Sequence, residues 1–319
     1  MLDAETVIDR RRLRRRLTLW RMVALVFAVL FLAGLISGDQ RMVSSSGLLP
    51  HIARVSISGI ITDDQKLQEL LDKVAKSDQV KAVILDINSP GGTTTGGEAL
   101  YDAIRRVAEK KPVIAVCGTL ATSAAYIAAI ATDRIFVYGN TITGSVGVIF
   151  QWADVTELMR TIGVKVEEVR SGPLKAVPNP FEPTDEKARA LAAEMVQEAK
   201  VWFVDLVAER RGIQPYTIPG LTEGRVYSGR QAVTLKLVDE IGDETAAKRW
   251  LEKERSIAPG LSIVDWKPRS ESRGIFGWLS GSIASGLGIP AENIAFLFGQ
   301  VSEGLRLDGL VSLWHPAGS

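Results

Sequence analysis

Hydrophobic and polar positions along the chain fall into blocks whose period switches several times. ARVSISGII, from Ala53, alternates with a period of two and predicts a strand. In DDQKLQELLDKVAKSD the apolar positions Leu67, Leu70, Leu71 and Val74 keep helical spacing instead. KAVILDINSPGG follows; its nearly continuous apolar run from Val83 to Ile87, with charge at the ends, is the signature of a strand buried on both faces. GGEALYDAIRRVAEKK predicts a second amphipathic helix, KPVIAVCG a buried strand, ATSAAYIAAIATD a helix of small residues and RIFVYG a further strand. Strands alternating with helices imply βαβ units and a parallel sheet covered by helices, an α/β fold. Residues 184–211 read as one long helix with Thr184 as its cap and Asp185 and Glu186 in the first turn.

The two ends depart from this pattern. Met22 to Ser37, MVALVFAVLFLAGLIS, carries no charge, and with Leu17, Leu19 and Trp20 the apolar stretch reaches roughly the 20 residues that a hydrocarbon core requires. Residues 1–21 hold seven arginines against three acids, a side-chain sum of +4. A secretory signal peptide starts the same way, but its apolar region is shorter and ends at a small-x-small site, which Leu35 to Gln40 does not offer. An uncleaved anchor is the favoured reading, with the arginines cytoplasmic and everything beyond residue 40 across the membrane. The expected organisation is a cytoplasmic basic segment (1–21), a transmembrane anchor (22–38), a tether (39–51), a globular domain (52–255) and an apolar helical extension (256–319). From Arg273 the extension is too interrupted to span a bilayer and too apolar for a free linker. It fits a segment lying on the membrane or sealing a subunit contact, and equally a packed helical pair.

Composition narrows the chemistry. The single cysteine, Cys117, excludes an intramolecular disulfide and a thiolate-rich zinc site, and two histidines, His51 and His315, make a multi-histidine metal site improbable. No metal or organic cofactor is expected, and catalysis is left to Ser, Thr, Lys, Asp or Glu. Beyond residue 21 the chain has 31 basic and 34 acidic residues, which offers no polyanion-binding surface and so no nucleic-acid partner.

Three places stand out. Asn88-Ser89-Pro90-Gly91-Gly92 ends a buried strand, and its paired glycines let bare N–H groups approach a ligand as half of an oxyanion hole; the plainer reading is a tight turn. Ser123 enters a helix among small residues, where its Oγ could be exposed while the next N–H and the helix dipole face a developing oxyanion; the plainer reading is a helix cap. Lys175, in a loop of proline and apolar neighbours, becomes a candidate base if desolvation lowers its pKa, and is otherwise an ordinary surface lysine.

INSPGG at 87–92, ATSAAYIAA at 121–129, TITGSVGVI at 141–149, SGPLK at 171–175 with Pro180-Phe181, and GRVYSGRQAVTLKLVDEIG at 224–242 follow one another in order. Over roughly residues 52–250 the chain thereby resembles the bacterial signal peptide peptidase A family, serine peptidases with a Ser-Lys dyad and a Clp protease/crotonase-like fold. The 52-residue spacing from Ser123 to Lys175 suits its short, single-repeat members. The resemblance implies Ser123 as nucleophile, Lys175 as general base and Ser145 as the residue orienting that lysine. It also implies the N–H groups of Gly92 and Ala124 as oxyanion donors, with Gly91 shaping the turn.

Members often carry Ser-Gly-Gly where this chain has Ser123-Ala124-Ala125; the hole survives if the backbone there is helical and fails if it needs a positive φ. An extended peptide would pair as an added strand near Thr93, Thr94 and Thr95. The implied substrates are remnant signal peptides held in the membrane, and the implied partners are lipid and further copies in a dome-shaped ring whose sites combine serine and lysine from neighbouring subunits. The implied location is the bacterial inner membrane with the catalytic domain outside the cytoplasm. The rival readings are a noncatalytic membrane scaffold of the same fold, a crotonase-type acyl-CoA enzyme, and a related peptidase acting on membrane proteins.

Overall fold

The structure, a computed structural model, describes residues 20–22, 49–268 and 311–313. The chain divides into two units, residues 1–49 and 50–319. In the first unit the described residues are a helical turn at 20–22, with Trp20 and Met22 exposed, and Leu49. The anchor expected at 22–38 and most of the segments flanking it lie outside the described residues. Among those described, no helix is long and apolar enough to cross a membrane.

The second unit is built on strands β1 (His51–Ile61), β2 (Val80–Thr93) and β3 (Val113–Thr122), linked by helices α1 (Gln65–Lys76) and α2 (Thr94–Ala108). The chain continues through α3 (Ala124–Ile130), β4 (Arg134–Val137), β5 (Ile142–Gly144), α4 (Thr156–Thr161), α5 (Glu186–Arg211), β6 (Val226–Ser228), α6 (Gly229–Thr234), β7 (Glu240–Ile241), α7 (Glu244–Glu254) and β8 (Ile263–Trp266), and then β9 (Val311–Leu313). The main path of the sheet runs β6-β5-β3-β2-β1-β8; β4 pairs with β3 and β7, and β9 pairs with β2. The expected βαβ core is parallel, but the whole sheet is mixed, because β6 and β9 run antiparallel to β5 and β2.

Alternation along the central strands feeds two packed layers. Val83, Leu85 and Ile87 join Ala115 and Cys117 on the side covered by α1, α2, α3 and α5, while Ala82 and Ile84 join Ile114, Phe136 and Leu251 on the other. Such a strand buries apolar side chains on both faces, hence the unbroken run in the sequence. Three boundaries differ from expectation. β1 starts at the buried His51, inside the expected tether. The sheet runs past residue 255 through β8, and residues 311–313, placed in a helical extension by the sequence, form a strand. The long helix is capped by Asp185, whose carboxylate accepts from the Ala188 N–H at 2.7 Å; Thr184 instead accepts from Trp152 Nε1 at 2.8 Å.

Candidate active site

β3 splits its pairing. Ile114 to Cys117 lie against β4, whereas Leu120 to Thr122 lie against β5, and the strand then delivers the chain to Ser123. Ser123 has φ 59° and ψ −122°, a conformation that costs a non-glycine residue on the order of 1–3 kcal/mol and persists only where the surroundings enforce it. They do so here: its N–H donates to Gly144 O at 2.9 Å, and its carbonyl accepts from Tyr126 and Ile127 at 2.9 and 3.0 Å, holding the first turn of α3. Although Ser123 stands at the N-cap position, its side chain makes no capping hydrogen bond, so the plain cap reading does not describe it. Tyr126 secures the far side of the turn by donating its buried hydroxyl to Leu237 O at 2.7 Å.

The positive φ therefore falls on the serine and not on the residue after it. Ala124 opens α3 in helical conformation, which is the condition under which alanine suffices at this place. At seven residues α3 is short, so the local feature here is the Ala124 N–H and not a helix dipole.

The glycine pair lies beside the serine. β2 and β3 pair up to Ser89↔Ala121, and two residues further along each strand stand Gly91 and Ser123. Gly91 has φ 110°. Gly92 is fixed by a close approach: a Cβ there would sit 1.8 Å from the Ile61 carbonyl oxygen, so only glycine fits. The segment is not the tight turn of the plain reading, because β2 stays paired with β1 as far as Ile61↔Gly92.

Two side chains absent from the sequence-derived site hold these parts together. Ser89 donates its hydroxyl to Gly59 O at 2.7 Å and accepts from the Gly91 N–H at 3.1 Å. Thr122 donates to Pro90 O at 3.0 Å, tying the serine's strand to the glycine-bearing end of β2. Both sit inside the motifs read from the sequence, where nothing local distinguishes them from other small polar residues.

Ser145 follows Gly144, takes φ 52° and donates its N–H to Arg225 O at 2.9 Å. It lines a cavity of about 360 Å³ with Lys200, Thr222 and Glu223, and no pattern in the sequence points to Lys200 there. Glycine is required at 144 by φ 89° and by Tyr227, whose ring carbon would lie 2.8 Å from an added Cβ.

Lys175 contrasts with these residues. It is exposed, on a segment from 162 to 185 without helix or strand, and its N–H donates to Gly172 O at 3.1 Å. The expectation of a buried, desolvated lysine is therefore not met among the described residues, which leave it exposed. Asn179 shapes the following turn, donating from Nδ2 to Ala176 O and Glu182 at 3.0 and 2.9 Å. Of the residues expected to bind peptide, Thr93 ends β2 and caps α2, accepting from the Gly96 N–H; Thr94 and Thr95 lie in the first turn of that helix and cannot extend a strand ladder. Burial pushes the Cys117 thiol up to about 12, which removes it as a nucleophile at neutral pH.

Comparison with known proteins places the chain. The profile of peptidase family S49 matches residues 105–258, and that of Clp protease matches residues 37–165. A Methanocaldococcus jannaschii protein provisionally named a protease is 34% identical over 223 residues, covering 69% of this chain and 71% of that protein. An Enterococcus faecium protein provisionally named signal peptide peptidase SppA is 29% identical over 255 residues, 75% of this chain and 73% of its own length. Protease 4 of Haemophilus influenzae is 29% identical over 250 residues, 73% of this chain and 40% of that one. Among solved structures, a mutant of the membrane-bound stomatin-specific protease 1510-N aligns with a TM-score of 0.47 at 13% identity, covering 69% of this chain and 99% of that chain. The α/β fold with its mixed sheet is Clp protease-like, and the chain belongs to peptidase family S49, the signal peptide peptidase A family of serine peptidases.

Proposed function

We propose that the chain is a membrane-anchored endopeptidase that hydrolyses remnant signal peptides through a dyad of Ser123 and Lys175. The observation that carries this reading is Ser123 itself, held at φ 59° beside Gly91 and Gly92 without serving as a cap. Strain of this kind is retained where a site needs it.

In the proposed mechanism, neutral Lys175 takes the Ser123 proton and Oγ attacks the peptide carbonyl carbon. The N–H groups of Gly92 and Ala124 hold the oxyanion, with Gly91 shaping the turn. Lys175 returns its proton to the leaving amine as the C–N bond breaks. Water then releases the acyl group by the reverse relay, and Ser145 orients the lysine. No step requires a metal or organic cofactor.

Exposure of Lys175 in the single chain supports a site completed by assembly, in which the lysine comes from a neighbouring copy and is desolvated there. The same region exposes Ile149, Leu158, Ile162, Val169, Leu174 and Phe181, an apolar set suited to a subunit contact in a ring-like oligomer. The apolar segment 22–38 behind its arginines supports an inner-membrane anchor with the catalytic domain extracytoplasmic, close to lipid and to apolar peptide substrates.

The test is hydrolysis of a Leu-rich signal peptide by the detergent-solubilised full chain, with Ser123→Ala and Lys175→Ala in parallel. Loss in both variants at unchanged oligomer size is expected; equal activity in all three would sink the dyad and leave a scaffold of the same fold.

A further inference from the structure

Lys175 is carried by a segment that packing cannot hold. From residue 147 to residue 187 no residue is buried, and from 162 to 185 the chain has neither helix nor strand. Chain of this kind opens locally with little resistance unless polar bonds close it. A general base, by contrast, has to stand within hydrogen-bond reach of the proton that it takes.

Polar bonds do close the segment, at one carboxylate. Glu182 Oε1 accepts from the Arg170 guanidinium at 2.6 Å and from Asn179 Nδ2 at 2.9 Å, so the two ends of residues 170–182 meet. Asn179 also reaches back and forward along the chain: its Nδ2 donates to Ala176 O at 3.0 Å, and its Oδ1 accepts from the Phe181 N–H at 2.8 Å. Ala176 takes φ 62° directly after the lysine, and the Lys175 N–H donates to Gly172 O at 3.1 Å. The Val155 N–H donates to Pro180 O at 2.9 Å, which fastens the loop to the chain before it. Arg170 has a second partner in Glu168, and its side chain is 18% exposed against 39% for Glu182, so the guanidinium is the shielded centre of the junction.

We infer that Arg170, Glu182 and Asn179 form a clasp that closes residues 171–181 into one loop and fixes where Lys175 stands, which makes them positioning residues for the reaction. The inference rests on the reading of Lys175 as the general base. Ion pairs at this exposure add little to global stability. Their effect is local: they make a compact loop whose ends meet and whose own side chains hold it. A loop fixed in advance loses less freedom when its lysine is brought to a serine, whether of the same chain or of another copy.

The test compares Asn179→Ala, Glu182→Ala, Glu182→Gln and the combined Asn179→Ala and Glu182→Ala variant in the detergent-solubilised full chain. Each alanine variant is expected to lower kcat on a Leu-rich peptide by about 10²-fold, the effect of misplacing a reacting group by about 1 Å. KM, the melting temperature and the oligomer size should hold. The combined variant should be no worse than either single one, because the side chains share one junction. Glu182→Gln keeps an oxygen that accepts from both partners and should retain most of kcat. A second readout needs no peptidase activity. In a Ser123→Ala background, trypsin should cut the Lys175-Ala176 bond about tenfold faster in the alanine variants, since each loses hydrogen bonds that keep the loop closed.

Equal cutting in all variants overturns the clasp. Faster cutting with an active intact chain and unchanged kcat, or a fall in kcat only where the oligomer comes apart, overturns the positioning role. Faster cutting with no hydrolysis by any chain, the intact one included, leaves the clasp standing and removes the peptidase reading together with the role built on it.

Discussion

The two halves of the proposed dyad sit in opposite kinds of structure. Ser123 is 1% exposed, at the end of a central strand, with its backbone bonded to Gly144, Tyr126 and Ile127. Lys175 is exposed on a segment that has neither helix nor strand for more than 20 residues. A nucleophile and its oxyanion donors must be placed to within about 0.5 Å, which a rigid sheet provides. A lysine base must instead be desolvated to lose its proton, and among the described residues Lys175 stays exposed. On the proposed reading, the difference teaches that the single chain carries the rigid half of the site and leaves the other half to a further surface.

The strongest way to break this comparison is to separate the halves. Ser123→Ala and Lys175→Ala are each expected to lower kcat/KM by on the order of 10⁴-fold or more. If each site combines residues of two copies, an equal mixture of the two inactive variants regains about a quarter of wild-type activity, the share of random neighbours holding both groups. Activity that stays absent after subunit exchange would place both residues in one chain.

Next in size is Gly92→Ala. The added Cβ would lie 1.8 Å from a backbone oxygen of Ile61, so β1 or β2 must move. Overpacking of this kind costs about 3 kcal/mol. A domain of this size should then melt about 10 °C lower. Displacing one oxyanion donor lowers kcat by about 10²–10³-fold in addition. Unchanged melting and unchanged kcat would show that Gly92 is neither a packing nor a catalytic requirement.

Much of the rigid half was legible in the sequence, and the reason is local. The apolar run Val83 to Ile87, the small residues around Ser123 and the helical spacing of Leu67 to Val74 each reflect a periodicity that a single element must satisfy. The glycine pair was legible as an oxyanion element or a turn, but the packing reason for glycine at 92 was not, because it arises from Ile61, distant in sequence and brought close by strand pairing. Thr184 and Asp185 are neighbouring cap formers, and which one serves depends on Trp152 drawing the threonine away. The sequence left Lys175 open between a desolvated base and a surface lysine, and the pairing of residues 311–313 with β2 was not legible at all, since both depend on which surfaces meet and not on the pattern within either segment.

A smaller effect sharpens the picture of how the rigid half is held. Thr122→Val removes the hydroxyl that bonds Pro90 O at 3.0 Å and keeps the side-chain shape. A stability loss of about 1 kcal/mol is expected. Because the bond spans the serine strand and the glycine-bearing end of β2, kcat should fall while KM holds, and Thr122→Ser should restore most of it. A fall in stability with kcat unchanged would make the bond structural only.

The smallest effect lies at the far edge of the sheet. Arg54 bonds Asp265 at 2.6 Å and Glu244 at 3.0 Å, joining β1 to β8 and α7. The hydrogen bond from the Arg54 guanidinium holds the Asp265 carboxyl below its ordinary value of 3.8. A carboxyl depressed in the folded state contributes stability that is present above 3.8 and is lost as pH falls through the lower folded value. Both side chains are partly solvated, so the contribution is small, below about 1 kcal/mol. Wild type should therefore melt slightly above Asp265→Asn at neutral pH, with the gap closing as the pH drops below 3.8 and narrowing in high salt. Peptidase activity at neutral pH should be alike in the two, since this edge lies across β2 and β1 from Ser123. A gap that persists in acid would mean that Asp265 acts through packing rather than charge, and the two edges of the sheet would then differ in function but not in how they are held.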